Sequence, residues 1–162
     1  MKYGSILWVI WLSLFLTACS EAEVESPEHL EEIYLVAFDV LMAEDTALNS
    51  GMEFIAIDFS SHDELTSQQK EMIFMDLESA YDVEILEATR EELEDAGRFD
   101  PNTKVLDGVV LQLEEVDFKR NGDVYFKGSK YSAGDGAIGM EGIVTYDKGI
   151  WKAKDVEMIW IS

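Results

Sequence analysis

The hydrophobic period of this chain changes once, near residue 100, and that change restricts the fold more than any other feature. Before it, Leu30, Ile33, Tyr34, Ala37, Phe38, Leu41 and Met42 recur at three and four spacing, which gives a helix one apolar face. Ser26 as N-cap, Pro27 at the first helical position and Glu28 in the first turn predict a start there, with the helix running to about Leu48 and Gly51 beyond its end. The apolar run over 54–59 suits a short buried strand. Thr66 and Gln69 have capping-box spacing ahead of a second helix carrying Ile73, Phe74, Leu77, Ala80 and Tyr81. Residues 83–86 read as another short strand. Thr89 and Glu92 repeat the capping box and open a brief helix that stops at Gly97.

After residue 100 the period is two. Val109, Leu111 and Leu113 alternate with Val110, Gln112 and Glu114, and Glu114-Glu115 breaks the alternation, which predicts a bulge. Asn121-Gly122 predicts a type I′ hairpin turn. Strands over 124–131, 138–146 and 150–161 follow, the last two joined through Asp147-Lys148-Gly149, so the chain closes as a four-stranded antiparallel meander. A twisted sheet needs one face covered, and the leading amphipathic helices supply the cover. The expected fold is therefore α+β: two layers, N-terminal helices packed on a curved antiparallel sheet, with residues 27–162 as one globular domain. This element order resembles that of cystatin-like and nuclear-transport-factor-like folds, which often hold a cavity between helix and sheet.

The amino end is an address. Lys2 precedes an apolar run over 6–16, too short for a transmembrane helix of roughly 20 residues and right for a signal-peptide core. It ends in Leu16-Thr17-Ala18-Cys19, with no other cysteine in the chain. This resembles the lipobox of bacterial lipoproteins. The resemblance implies removal of residues 1–18, a diacylglyceryl group on Cys19, and attachment to the outer face of the cell membrane. Two acyl chains hold a protein on a bilayer where one is marginal, so membrane contact through lipid alone is expected. Residues 19–26 then read as the lipidated cysteine and an acidic tether. Asp58-Phe59-Ser60-Ser61 and the closing Trp160-Ile161-Ser162 also resemble small lipoproteins of Bacillus-type Gram-positive bacteria, a resemblance that implies no activity.

The formal net charge is −22, and its distribution is uneven. Between Ser20 and Asp100 lie 24 acidic and 3 basic residues, a balance of −21, whereas 101–162 hold 10 and 8, a balance of −2. Such a chain repels phosphate backbones, which excludes nucleic acid as a partner. One cysteine excludes a disulfide framework, and two histidines exclude a three-histidine site within one copy.

Several patterns carry chemistry on paper. Gly134-Asp135-Gly136-Ala137-Ile138-Gly139 spells a dinucleotide fingerprint, but the alternating residues after it predict a strand where the phosphates need a helix N-terminus. Ser60, Ser61 and His62 are the residue types of a nucleophile and its base, without a nucleophile elbow and as sequence neighbours. His29 stands one turn from Glu32, short of H-E-x-x-H spacing, and Glu28-Glu31-Glu32 and Glu91-Glu92-Glu94-Asp95 read as solvated acidic faces. Asp117 to Asp123 begins like a calcium loop, but its twelfth position is Gly128. Phe38, Met42, Phe74, Met75, Trp151 and Trp160 sit at core-type spacing and bind a ligand only on a concave, unfilled face.

The expected function is a lipid-anchored extracytoplasmic binding or interaction module. Its acidic half faces a cationic ligand such as a basic peptide, a polyamine or loosely held calcium, or an envelope protein. Cys19 is the one assigned site residue, for lipid attachment, and no catalytic, metal or cofactor-binding residue is assigned. The alternatives are a small hydrolase acting through Ser60 or Ser61 with His62, and a passive module of an envelope complex, which predicts an exposed apolar patch.

Overall fold

The computed structural model describes residues 29–132 and 136–162. Cys19, the leader, the tether and the Ser26-Pro27-Glu28 start lie outside them, as do residues 133–135 of the glycine-rich loop.

Helix α1 (Leu30–Ala43) buries all seven residues of its apolar stripe: Leu30, Ile33, Tyr34, Ala37, Phe38, Leu41 and Met42. It ends before the expected Leu48. Asp45 takes a left-handed backbone with φ 42°, and residues 46–49 continue as a 3-10 turn. The cause is tertiary. Lys130, fully buried, sends its ammonium to the carbonyls of Glu44 at 2.5 Å and Asp45 at 3.2 Å and to Asn49 Oδ1 at 2.9 Å, while Asn49 Nδ2 donates to the Met42 carbonyl at 2.8 Å. These are the orphan carbonyls of a helix end, satisfied by side chains from outside it.

Strand β1 (Phe54–Asp58) leads to helix α2 (Ser67–Tyr81), then β2 (Glu84–Glu87) and helix α3 (Arg90–Asp95). Both expected capping boxes form, Thr66 with Gln69 and Thr89 with Glu92. Two short strands missing from the sequence reading, β3 (Phe99–Asp100) and β4 (Val105–Leu106), pair with each other. The meander follows as β5 (Gly108–Phe118), β6 (Val124–Tyr131), β7 (Ala137–Asp147) and β8 (Ile150–Ile161). The six-stranded sheet has the order β2-β1-β5-β6-β7-β8. β5 to β8 are antiparallel as expected, and β1 extends them by pairing parallel with both β5 and β2. Parallel pairing requires a long crossover, which α2 and α3 supply.

The fold is thus α+β, a mixed sheet with helices packed on it. α1 lies across β5–β8, and α2 packs on α1 and β2. On the opposite face Phe54, Ala56, Leu93, Phe99, Leu106 and Val110 form a second cluster under α3 and the β3–β4 pair. β1 is therefore covered on both faces, which explains its unbroken apolar run.

Two turns of the meander differ in how local the signal was. The bulge falls where the paired acids put it, with a register shift between Leu113 and Glu115. The hairpin turn does not take the type I′ form. The Lys119 amide bonds the Asp123 carbonyl, the Gly122 amide bonds the Lys119 carbonyl, and only Gly122 has positive φ, at 85°. This is the three-residue loop with a left-handed glycine, which leaves Asn121 free of the strained region and uses its Oδ1 to accept from the Asp123 amide.

Gly128 lets α1 approach the sheet. A Cβ there would stand 2.7 Å from the Gln112 carbonyl oxygen and 2.7 Å from Leu113 Cδ2, with Leu41 Cδ1 at 3.3 Å. Gly128→Ala is expected to lower unfolding free energy by about 1–3 kcal/mol. Urea denaturation of the two proteins measures it, and equal midpoints contradict the close approach.

Candidate functional site

The loop after β1 carries the three residues that sequence placed together as nucleophile and base. The backbone turns sharply: Asp58 Oδ1 accepts from the Ser60 amide at 2.9 Å, and the His62 amide bonds the Phe59 carbonyl at 2.9 Å. This turn sends Ser60 and Ser61 outward and His62 inward, where it is 4 % exposed. Its ring stands edge-on to Tyr34, with centroids 5.2 Å apart. Nε2 is 2.7 Å from the Leu113 carbonyl oxygen, and because a carbonyl only accepts, Nε2 donates to it. Nδ1 lies 2.8 Å from the Tyr34 hydroxyl and 3.1 Å from Glu64 Oε1, and the Tyr34 hydroxyl donates to that same carboxylate.

Leu113 is the residue at which the β5 ladder breaks. His62 therefore satisfies a carbonyl beside the bulge, and Tyr34 and Glu64 occupy its other nitrogen. A general base needs a lone pair aimed at the nucleophile. Among the described residues, no bond joins the His62 ring to Ser60 or Ser61, so the structure does not bring these residues together. Sequence reasoning took Tyr34 as one of a helical stripe and missed the network. The signal available was a hydroxyl within an otherwise apolar face, which needs a partner once buried.

The electrostatics follow from this packing. Burial, and then the bond to Glu64, push the Tyr34 hydroxyl far above the usual phenol range. Partial burial pushes the Glu64 carboxyl up, but the bonds it accepts from Tyr34, its own backbone and His62 together outweigh that, and its pKa is lowered.

The other sequence candidates are dispersed. His29 Nδ1 meets Glu32 Oε1 at 3.1 Å in an exposed pair, and Glu31, within reach of the same point, accepts from Gln69 Nε2 at 3.1 Å. After Gly136 the chain enters β7, so the glycine-rich segment leads into a strand as expected. Gly139 is a seat for the Trp160 indole, which any Cβ there would strike. In the aborted calcium loop Asp117 pairs with Lys119 at 2.5 Å and Asp123 with Lys154 at 2.8 Å, and the Lys154 ammonium holds the Asp123 carboxyl below its usual range.

The space between α1 and the sheet is filled. Phe38 and Met42 are buried there with Phe126, Ile138 and Met140, Trp151 and Phe74 pack against them, and Met75 points to solvent. Outside the core, a groove of about 440 Å³ runs past Arg90, Phe99, Tyr131 and Trp160, with the Arg90 guanidinium 4.7 Å from the Tyr131 ring centre. Among the described residues no helix is long and apolar enough to cross a membrane.

What remains is surface. α2, packed on α1 and β2, carries Glu71 and Glu78 with Asp82 at its end, and α3, on the opposite face of the sheet, carries Glu91 and Asp95; none of these has an ion pair among the described residues. Of the three cations in this half of the chain, Lys70 pairs with Glu87 at 2.6 Å and Arg98 with Glu84 at 2.7 Å, while Arg90 lies over the Tyr131 ring. At the sheet edge, β8 exposes Ile150, Val156, Met158, Trp160 and Ile161.

Compared with known proteins, the chain matches no protein-family model, no curated protein and no solved structure.

Proposed function

We propose that this protein is a lipid-anchored extracytoplasmic interaction module, held through a diacylated Cys19 and presenting the acidic helices of its first half to a cationic partner. The observation that carries the reading is the set of carboxylates on α2 and α3 that have no ion pair among the described residues. A filled core supports it as well, because an interaction surface needs no cavity. Carboxylates at this density repel one another, and a basic peptide or polyamine relieves that repulsion, so the attraction is electrostatic and falls with added salt. A hydrolase acting through Ser60 or Ser61 with His62 has less support, since both nitrogens of that ring have other partners.

Titration of the protein with spermidine and with an oligolysine peptide, at low and at physiological ionic strength, tests the acidic face. Binding is expected to weaken by about tenfold or more between the two conditions. Affinity that is absent, or that is indifferent to salt, removes the proposal. The anchor is tested separately by mass analysis of native protein, which should begin at a diacylated Cys19.

A further inference from the structure

β8 is the last strand of the sheet, and among the described residues nothing pairs with its outer edge. A twelve-residue edge strand is an open template for another strand. Its cross-strand partners fix which way each side chain points. Trp151, Ala153, Met158 and Ile161 stand opposite Tyr146, Val144, Met140 and Ile138, on the α1 face. Val156 joins them, because it closes on the space beside Gly142 and Phe126. α1 reaches β8 but leaves Val156, Met158 and Ile161 40 %, 41 % and 64 % exposed. The indole N–H of Trp151 is buried there without an acceptor among the described residues. On the other face lie Ile150, Lys152, Lys154, Glu157 and Trp160.

We infer that β8 pairs antiparallel with β8 of a second copy of this chain, about a two-fold axis passing between Lys154 and Asp155. In that register Lys152 meets Glu157 of the partner subunit, Lys154 meets Asp155 of the partner subunit, Ala153 meets the partner's Val156, and Trp151 meets the partner's Met158. In a regular strand, a two-fold between successive residues would oppose side chains from different faces. Here the register shift of β8 against β7, with Asp155 at φ 51°, inserts one residue between Lys154 and Val156, and like faces meet. The contact is isologous, apolar on one face and charge-complementary on the other.

Charge favours this partner. Within one copy Lys152 pairs with Asp147 and Lys154 with Asp123, whereas Asp155 and Glu157 have no ion pair among the described residues. The acids left over in one copy thus face lysines of the other. At long range, β8 comes from the half of the chain that carries only −2. The β2 strands would lie at opposite ends of a joined sheet, about 50 Å apart at the usual strand spacing, several times the screening length of about 8 Å in physiological salt. The inference goes beyond the proposed function and needs neither the lipid nor a cationic ligand.

Sedimentation of the full chain in detergent at micromolar concentration, with Lys152→Glu, Glu157→Lys and the double exchange, tests it. Each single change sets like charges against each other, so each is expected to raise the dimer dissociation constant at least about tenfold, and the double exchange to restore it. The two single changes move net charge in opposite directions, so an effect of net charge alone would give opposite signs and overturn the register. Circular dichroism of each variant confirms folding. A monomer throughout the range overturns the inference, as does a dimer indifferent to both single changes. Dimerisation that appears only once residues 1–28 are removed assigns the edge to the chain's own amino end and likewise overturns it.

Discussion

Lys130→Met is expected to cost about 2–4 kcal/mol of unfolding free energy, although it replaces a buried charge with an apolar chain of similar length. Burial pushes the Lys130 ammonium below its ordinary pKa, more than Asp45 and Glu44 restore it, so the cation itself is held at some cost. Removing it relieves that cost. It also strips donors from the Glu44 and Asp45 carbonyls and from Asn49 Oδ1, all at the closed end of α1. A buried acceptor left without a donor costs about 1–3 kcal/mol, and although these three are only half-buried, together they outweigh the relief. Asn49→Ala, which spares the carbonyl bonds of Lys130, should cost about 1 kcal/mol. The pH dependence gives a second reading. A folded pKa below the unfolded one means that the unfolded chain binds more protons between the two values, so this group makes stability rise with pH over that interval. The rise should vanish in Lys130→Met. Urea midpoints that match wild type would show that the helix end does not depend on the lysine.

His62→Ala should be as damaging, at about 3 kcal/mol, since it opens a cavity under Tyr34 and orphans the Leu113 carbonyl beside the bulge. Tyr34→Phe isolates the rest of the network. The Glu64 carboxyl is lowered in the folded protein, so its contribution is complete above the ordinary carboxyl pKa and is lost as pH falls through the folded value. Without the Tyr34 hydroxyl that contribution shrinks, and the acid limb of the stability profile flattens. Unfolding free energies of wild type and Tyr34→Phe across the acid range check the sign. A variant whose acid limb is as steep as wild type would mean that Tyr34 does not hold the carboxylate.

Elements that rest on near neighbours could be read from the residues. The capping boxes at Thr66 and Thr89 need only the residue three places on. The seven-residue stripe of α1 and the bulge at Glu114 are likewise local patterns, of period and of its interruption. The β3–β4 pair left no such pattern, because two residues are too few to show a period. At Asn121-Gly122 the dipeptide marked the hairpin, but both loop lengths suit it and the flanking strands selected the longer one. Of the candidate site, the separate residues were visible and their directions were not. Ser60, Ser61 and His62 are adjacent in the chain, and a single turn points the serines to water and the imidazole to Tyr34, Glu64 and Leu113.

By itself the sequence determined where the main helices and the longer strands form, which helix face is apolar, and that nearly all the charge belongs to the first half. Those properties depend on local sterics and on the period of apolar side chains. The tertiary structure decided that β1 pairs parallel with β2 and β5, that α1 stops where Lys130 reaches its carbonyls, and that β8 is an open edge. Each of these depends on groups brought together from distant positions, 88 residues apart in the case of Lys130 and Met42, where desolvation and hydrogen-bond satisfaction act only once the chain has folded.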